Sequence, residues 1–308
     1  MRSKMFRNSA TLCATGGLIT LSSFAGASET NTLYDSGGFE SDTFLTGFLV
    51  GQDGFAQFGV DTPTGTGTSV PTVHDAVIGG PIKSGDQAVT FTRNSSDGLG
   101  ATSFVTPLDG SSLPQEQVVI EFDLYVASTL DQDPDPVFES IGPVFAVDVF
   151  SDAASAGTPG IGDRILSVGV ETSTVGNGPA LFVATNNDPL DADFLLPDGV
   201  DLPLDSILLD QYQNWVITVD IPTSTYSVAV DSLLLLDSVA LIEFVDFGTG
   251  EEVQNVSFLT FASDAFLPDV EGVAYLDNYS VIETVVPEPS SLVLIGLAGT
   301  CFLLRKKR

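Results

Sequence analysis

The stretch Val118-Val119-Ile120-Glu121-Phe122-Asp123-Leu124-Tyr125-Val126 constrains the fold more than any other part of the chain. Every even position is apolar, while Glu121, Asp123 and Tyr125 fall on odd positions. A repeat of two residues is the signature of a β-strand with one face in a core and the other turned away from it. Comparable apolar or β-branched runs occur at Ala88–Arg93, Val144–Phe150, Ile165–Val170, Ala180–Thr185, Trp215–Ile221, Tyr226–Asp231, Val239–Phe247, Val253–Phe261 and Val273–Ile282. Gly, Pro, Asn and Asp punctuate them, and no long stretch carries a helical period. Pro222–Thr225 joins two of the runs as a hairpin, whereas Leu202–Asp210 reads equally as a short helix. The expected class is all-β, a single sandwich.

The two ends of the chain have a different character. Arg2, Lys4 and Arg7 precede a modestly apolar Leu12–Phe24, and Ala25-Gly26-Ala27 supplies small residues at the positions a signal peptidase reads. Residues 1–27 are therefore expected to be a signal peptide, cleaved at Ala25 and Ala27. At the far end, Pro287-Glu288-Pro289 is followed by an apolar Leu292–Leu304 and then Arg305-Lys306-Lys307-Arg308. Thirteen residues rise only about 20 Å as a helix, short of a hydrocarbon core of about 30 Å. The closing cations favour a cytoplasmic end. Both ends place the intervening residues outside the cytoplasmic membrane.

The C-terminal pattern resembles the PEP-CTERM sorting signal. The resemblance implies a short transmembrane sorting helix in the precursor and recognition of Pro287, Glu288, Pro289 and Arg305, Lys306, Lys307, Arg308 by exosortase. It further implies loss of the tail and delivery to the cell surface or the exopolysaccharide matrix. The expected division is thus 1–27, 28–284 for the sandwich, and 285–308 for the sorting signal.

Charge narrows the roles left to the sandwich. Seven of the ten basic residues lie in the end segments, leaving Lys83, Arg93 and Arg164 against forty acids, a net charge of −37. Such a chain repels nucleic acid and attracts divalent cations or basic partners. Cys13 and Cys301 are the only cysteines, and both lie in the end segments, so the sandwich has neither disulfide nor thiol chemistry. His74 is the only histidine, which leaves transition-metal sites and Ser-His-Asp catalysis poorly supported. It is expected as a half-exposed strand residue.

Several short motifs resemble the concanavalin A-like (laminin-G-like) jelly roll. They are Gly38-Phe39-Glu40, Val50-Gly51-Gln52-Asp53-Gly54-Phe55, the Trp215 and Tyr226 hairpin, and Ala274-Tyr275-Leu276-Asp277-Asn278-Tyr279-Ser280-Val281. In jelly-roll glycosidases an alternating strand presents paired carboxylates about 5–5.5 Å apart. Here Glu121 and Asp123 alternate, but Tyr125 stands where a third acid is needed. No catalytic residue is assigned on this basis, and Glu121, Asp123 and Tyr125 are read as a candidate ligand face. Tyr125, Tyr212, Trp215 and Tyr226 have the ring chemistry to stack on sugars, although Trp215 equally suits a core.

No cofactor is demanded, and calcium is the candidate. Asp131, Asp133 and Asp135 offer hard oxygens at alternate positions, but Pro136 and Gly142 stand where an EF-hand has glycine and glutamate. Asp188, Asp191 and Asp193 form a second such group, and both read somewhat more readily as solvated loops. The expected role is an exported structural or glycan-binding protein that is no enzyme. The alternatives are a glycan-active enzyme using Glu121 and Asp123, or a calcium-dependent adhesin. Mass spectrometry of the mature protein from its own cells should show a new N-terminus after Ala27 and a missing tail. Recovery of both ends intact would refute this processing.

Overall fold

The computed structural model describes residues 29–58, 71–77, 79–93, 102–106, 108, 115–128, 143–151, 164–172, 179–184, 206–242, 253, 255–264 and 271–285, all within one unit spanning Ser28–Pro287. In chain order the strands are β1 (Glu29–Asp35), β2 (Gly47–Phe48), β3 (Ala56–Phe58), β4 (Thr72–Asp75), β5 (Gln87–Arg93), β6 (Thr102–Thr106), β7 (Gln115–Val126) and β8 (Val144–Phe150). They continue as β9 (Arg164–Glu171), β10 (Ala180–Val183), β11 (Tyr212–Asp220), β12 (Thr225–Val230), β13 (Leu233–Ala240), β14 (Phe258–Asp264) and β15 (Gly272–Val285). One sheet runs β13-β12-β11-β7-β15-β5-β4-β2, with β1 also paired to β15; the other runs β10-β9-β8-β14-β6-β3. The protein is a two-sheet β-sandwich, as the alternating runs require.

The core forms where the apolar sides of the two sheets meet. Val118, Ile120, Phe122, Leu124 and Val126 of β7 are all buried, along with Trp215, Ile217 and Val219 of β11. Phe122 stacks on Trp215 with ring centroids 6.2 Å apart and planes 7° from parallel. Phe261 of β14 meets Phe122 edge-on at 5.5 Å, which ties the second sheet to the first. Such aromatic pairs add to plain area burial.

Most expected strands stand close to where the periodicity puts them, and Val144–Phe150 coincides with β8. Two need correction. Of the run expected at Val239–Phe247, Val239 and Ala240 end β13 (Leu233–Ala240), Leu241 and Ile242 follow outside any strand, and residues 243–247 lie outside the described residues. Asp231 and Ser232 take positive φ of 49° and 67°, closing a two-residue turn that sends the chain straight back along β12. Four consecutive leucines hide this strand, because they show no alternation. The run expected from Val253 begins only at Phe258 and extends to Asp264. Strands β1–β4 and β6 were not anticipated; they are short or rich in threonine and polar residues. Within Leu202–Asp210, residues 206–210 are irregular rather than helical.

The Gln52-Asp53 turn has a structural role. The Gln52 amide accepts from the Leu45 N–H at 2.6 Å and donates to the Leu45 and Phe48 carbonyls at 2.8 and 2.7 Å. Asp53, at φ 44°, accepts from the Tyr34 hydroxyl at 2.8 Å. Replacing Trp215 with alanine is expected to cost about 3–5 kcal/mol, measured by denaturant unfolding. A loss below about 1 kcal/mol would contradict the stacked core.

Candidate functional site

An extra residue in β15 creates the site. Along the β7–β15 ladder, Tyr275 lies opposite Tyr125 and Asp277 opposite Asp123, but the next partner of Glu121 is Ser280. Three residues of β15 therefore span two of β7, a β-bulge. Asn278 absorbs it at φ 50°, a left-handed conformation that asparagine tolerates better than most residues. Ser36 fastens the bulge: its N–H donates to the Tyr279 carbonyl at 2.8 Å, and its Oγ accepts from the Tyr279 N–H at 3.1 Å. Before the bulge, Tyr275 and Asp277 lie on the side of the sheet away from the core. After it, Tyr279, Val281 and Glu283 are the buried residues.

On that outer side, tyrosines from three neighbouring strands form a row. The Tyr125 ring lies 5.5 Å from Tyr212 and 5.5 Å from Tyr275, edge-on to both. Tyr275 in turn meets His74 at 5.3 Å. One step along the strands comes a polar row, with Asp277 opposite Asp123 and Asp123 opposite Asn214. A further step brings Glu121, whose Oε1 accepts from Asn214 Nδ2 at 3.2 Å.

Residues Gly79–Asp86 cross over part of this face. The Lys83 and Ser84 N–H groups both donate to Asp277 Oδ2 at 3.0 Å. The Asp86 N–H donates to Glu40 Oε1 and Oε2 at 3.1 and 3.0 Å. The Tyr212 hydroxyl donates to the Pro81 carbonyl at 2.8 Å, and His74 Nε2 lies 3.3 Å from the same oxygen. Since a carbonyl can only accept, Nε2 is the donor to it, while Nδ1 lies 2.8 Å from the Thr90 hydroxyl. Gly80 permits this closeness: a Cβ there would sit 2.7 Å from His74 Nε2 and from Tyr275 Cε1.

The electrostatics follow from burial. Desolvation pushes the Asp277 carboxyl up to about 6, and the Asp123 charge adds to this, against the pull of the Ser84, Asn278 and Lys83 N–H groups. Burial lowers His74, against the pull of the Pro81 carbonyl, the Asp75 charge and the Ala88 carbonyl. Tyr212 is raised by burial first and then by the charges of Asp277 and Asp123, so it remains a hydroxyl donor.

Glu121, Asp123 and Tyr125 do share one sheet face. They differ in access: Glu121 is exposed and Tyr125 half-buried, whereas Asp123 is only 5% exposed and accepts from Asn278 Nδ2 at 2.7 Å. His74, expected half-exposed, is 2% exposed because Thr90 of β5, Tyr275 of β15 and residues 80–81 pack around it. Trp215 and Tyr226 are core residues and are withdrawn from sugar stacking. Tyr275, Asp277 and Asn214 were missed as site residues. The parity change between Leu276 and Tyr279 was the available signal. Among the described residues no group of three His, Cys, Asp or Glu is placed to hold a metal. Asp131, Asp133, Asp135, Asp188, Asp191 and Asp193 lie outside the described residues. So do Ala25, Ala27, Leu292–Leu304 and the sorting residues Pro287, Glu288, Pro289, Arg305, Lys306, Lys307 and Arg308. No helix among the described residues is long and apolar enough to cross a membrane.

Comparison with known proteins decides what the tail is. Residues 285–308 are a PEP-CTERM protein-sorting motif. The PEP-CTERM motif implies an exported protein and exosortase processing, and it covers only this short stretch. No curated protein matches the chain. Solved structures that resemble it are jelly-roll sandwiches. Alginate lyase AlyC3 matches with a TM-score of 0.40 and 11% identity over 63% of this chain and 74% of that one. Alginate lyase A1-II′ of polysaccharide lyase family 7 gives 0.39 and 14% over 64% and 79%. The Emp47p carbohydrate recognition domain gives 0.36 and 12% over 81% and 98%.

These likenesses overturn the expectation that the chain is no enzyme, because lyases stand among its neighbours. The missing third acid beside Glu121 and Asp123 bears only on glycosidases that use paired carboxylates. It says nothing of other general acids and bases. At this similarity the likenesses assign no activity either.

The raised Asp277 makes a testable pH signature. A carboxyl raised on folding favours the folded state most fully below its unfolded value near 3.8, and that contribution is lost as pH climbs towards about 6. The melting midpoint of Asp277→Asn relative to the parent protein should therefore rise between about pH 4 and 7. A difference that does not change with pH would contradict the assignment.

Proposed function

We propose that the exported protein is sorted to the cell surface or exopolysaccharide matrix and binds glycan chains there through the outer face of its larger sheet. The row Tyr212–Tyr125–Tyr275 carries this reading. Rings held by cross-strand packing present apolar area to the C–H faces of sugars at little entropic cost, while their hydroxyls remain polar. Beside the row, Glu121 and Asn214 supply an acceptor and a donor for sugar hydroxyls. Residues 79–86 hold the buried end of the row in place, as the Tyr212–Pro81 hydrogen bond indicates.

The strand connectivity agrees with a tethered binder. Tyr275 precedes Val285 by ten residues on β15, where the sorting motif begins. At about 3.3 Å per residue, the row stands about 30 Å along the strand from the point where the tail leaves.

A glycan array and affinity electrophoresis with soluble polysaccharides test the reading. At least one glycan should be retained, and Tyr125→Ala should weaken it about tenfold or more, roughly 1.4 kcal/mol, without a matching loss of melting temperature. Reducing ends and unsaturated products measured in the same samples report any cleavage. Retention of no glycan, or binding indifferent to Tyr125, would refute it.

A further inference from the structure

We infer that the tyrosine face takes amino-sugar chains with protonated amines and rejects polyuronates; this rests on the glycan-binding reading above. The argument begins with the supply of cations. A site for carboxylated or sulfated sugars needs arginine or lysine to pair with each anionic group. Between the two end segments the sequence holds Lys83, Arg93 and Arg164 alone.

The fold removes two of these from service. Arg93 is 1% exposed at the end of β5. Arg164 lies on β9 of the other sheet, its Nη1 3.6 Å from Asp148 Oδ1. Lys83 is exposed, but it sits among residues 79–86 beside the carboxylates of Asp277 and Glu40. No segment outside the described residues brings a further cation from within the sandwich sequence, since none is present there.

Negative groups surround the row instead. Glu121 is exposed on the same strand as Tyr125, and the Tyr125 hydroxyl is raised by burial first and then by the charge of the exposed Asp210. Asp123 and Asp277 lie beneath, one step from the tyrosines. A polyuronate laid along this face would bring carboxylates against carboxylates. A protonated amino sugar would gain from Glu121 and Asp210, and its ammonium would also be drawn to the ring faces. Charge complementarity thus selects within the glycans that the tyrosines can stack on.

The experiment compares three hexasaccharides by isothermal titration: glucosamine, N-acetylglucosamine and mannuronate, at about pH 5.5 and low salt, where unshielded charges act furthest. The intact mature protein is used, with Tyr125→Ala and the exposed, isosteric Glu121→Gln. The glucosamine chain should bind at least about fivefold tighter than its acetylated counterpart and mannuronate least. Glu121→Gln and about 0.5 M NaCl should each erode that advantage. Tyr125→Ala should abolish binding. Mannuronate binding as tightly as glucosamine, or glucosamine binding that survives Tyr125→Ala, overturns the inference. If the acetylated chain binds through Tyr125 with no preference for amines, the inference fails and the glycan-binding reading stands. If none of the three binds and the array is also blank, both fall.

Discussion

One extra residue in β15 organises this molecule. Without the bulge at Asn278, strict alternation along β15 would continue from Tyr275 and Asp277 to Tyr279 on the outer face, and Tyr279 would leave the core. Instead Tyr279 is fully buried, edge-on to Phe261 at 5.1 Å. Asn278 is freed to reach across the outer face, donating to Asp123 and accepting from the Ser84 hydroxyl at 2.8 Å. The parity change also turns Glu283 inwards. Its carboxyl oxygens accept from Gln115 Nε2 at 2.9 Å and Asn31 Nδ2 at 3.3 Å, so the buried polar group meets donors. The outer row and the seam between β1, β7 and β15 thus have one backbone origin.

A chain with forty acids and three cations in its sandwich must manage carboxylates without relying on ion pairs. Backbone N–H groups do much of this work. Asp35 accepts from Gly37 N, Asp75 from Val77 N, Asp210 from Ser128 N and Asp231 from Asn214 N. Each bond fixes a turn or a strand end while supplying a donor to an anion. Asp277 and Glu40 apply the same device over a longer range, each binding the chain at residues 83–86. Gly85 is needed there, because a Cβ at its φ of 64° would fall on the Glu40 carboxylate. The acidity seen in composition is therefore part of the architecture of the loops as well as a surface property.

How much of this was legible in the sequence depends on how local the cause is. Alternation in β7 is a property of nine consecutive residues, and it located both the core face and the outer face correctly. The hairpin of β11 and β12 was equally local. The four leucines of β13 broke the pattern, so of this strand only its end at Val239 and Ala240 was legible. Non-local causes were harder to read. Gly38-Phe39-Glu40 and Asp277-Asn278-Tyr279 were each noticed as separate motifs. In the fold they meet: Asn278 Oδ1, Glu40 Oε1 and Asp277 Oδ1 lie 3.4, 3.4 and 3.7 Å from the position where Gly38 would carry a Cβ. Nothing in either motif alone announces a partner more than two hundred residues away. Tyr275 was passed over for the same reason, since its importance comes from Tyr125 and His74, which stand on other strands.

The groups of β7 alone do not bound the chemistry of this face. A sheet face is assembled from several strands, and the groups beside Tyr125 come from β4, β11 and β15 as well. An imidazole lowered by burial, a hydroxyl raised by burial and a carboxyl pushed up to about 6 within one cluster are features that no single strand displays. Perturbed groups gather where burial and like charge are forced together, whether for catalysis or for structure. In this protein the forcing comes from residues 79–86, clasped by Asp277 from beneath. The same segment rests against the aromatic row, its Pro81 carbonyl accepting from the Tyr212 hydroxyl and lying 3.3 Å from His74 Nε2.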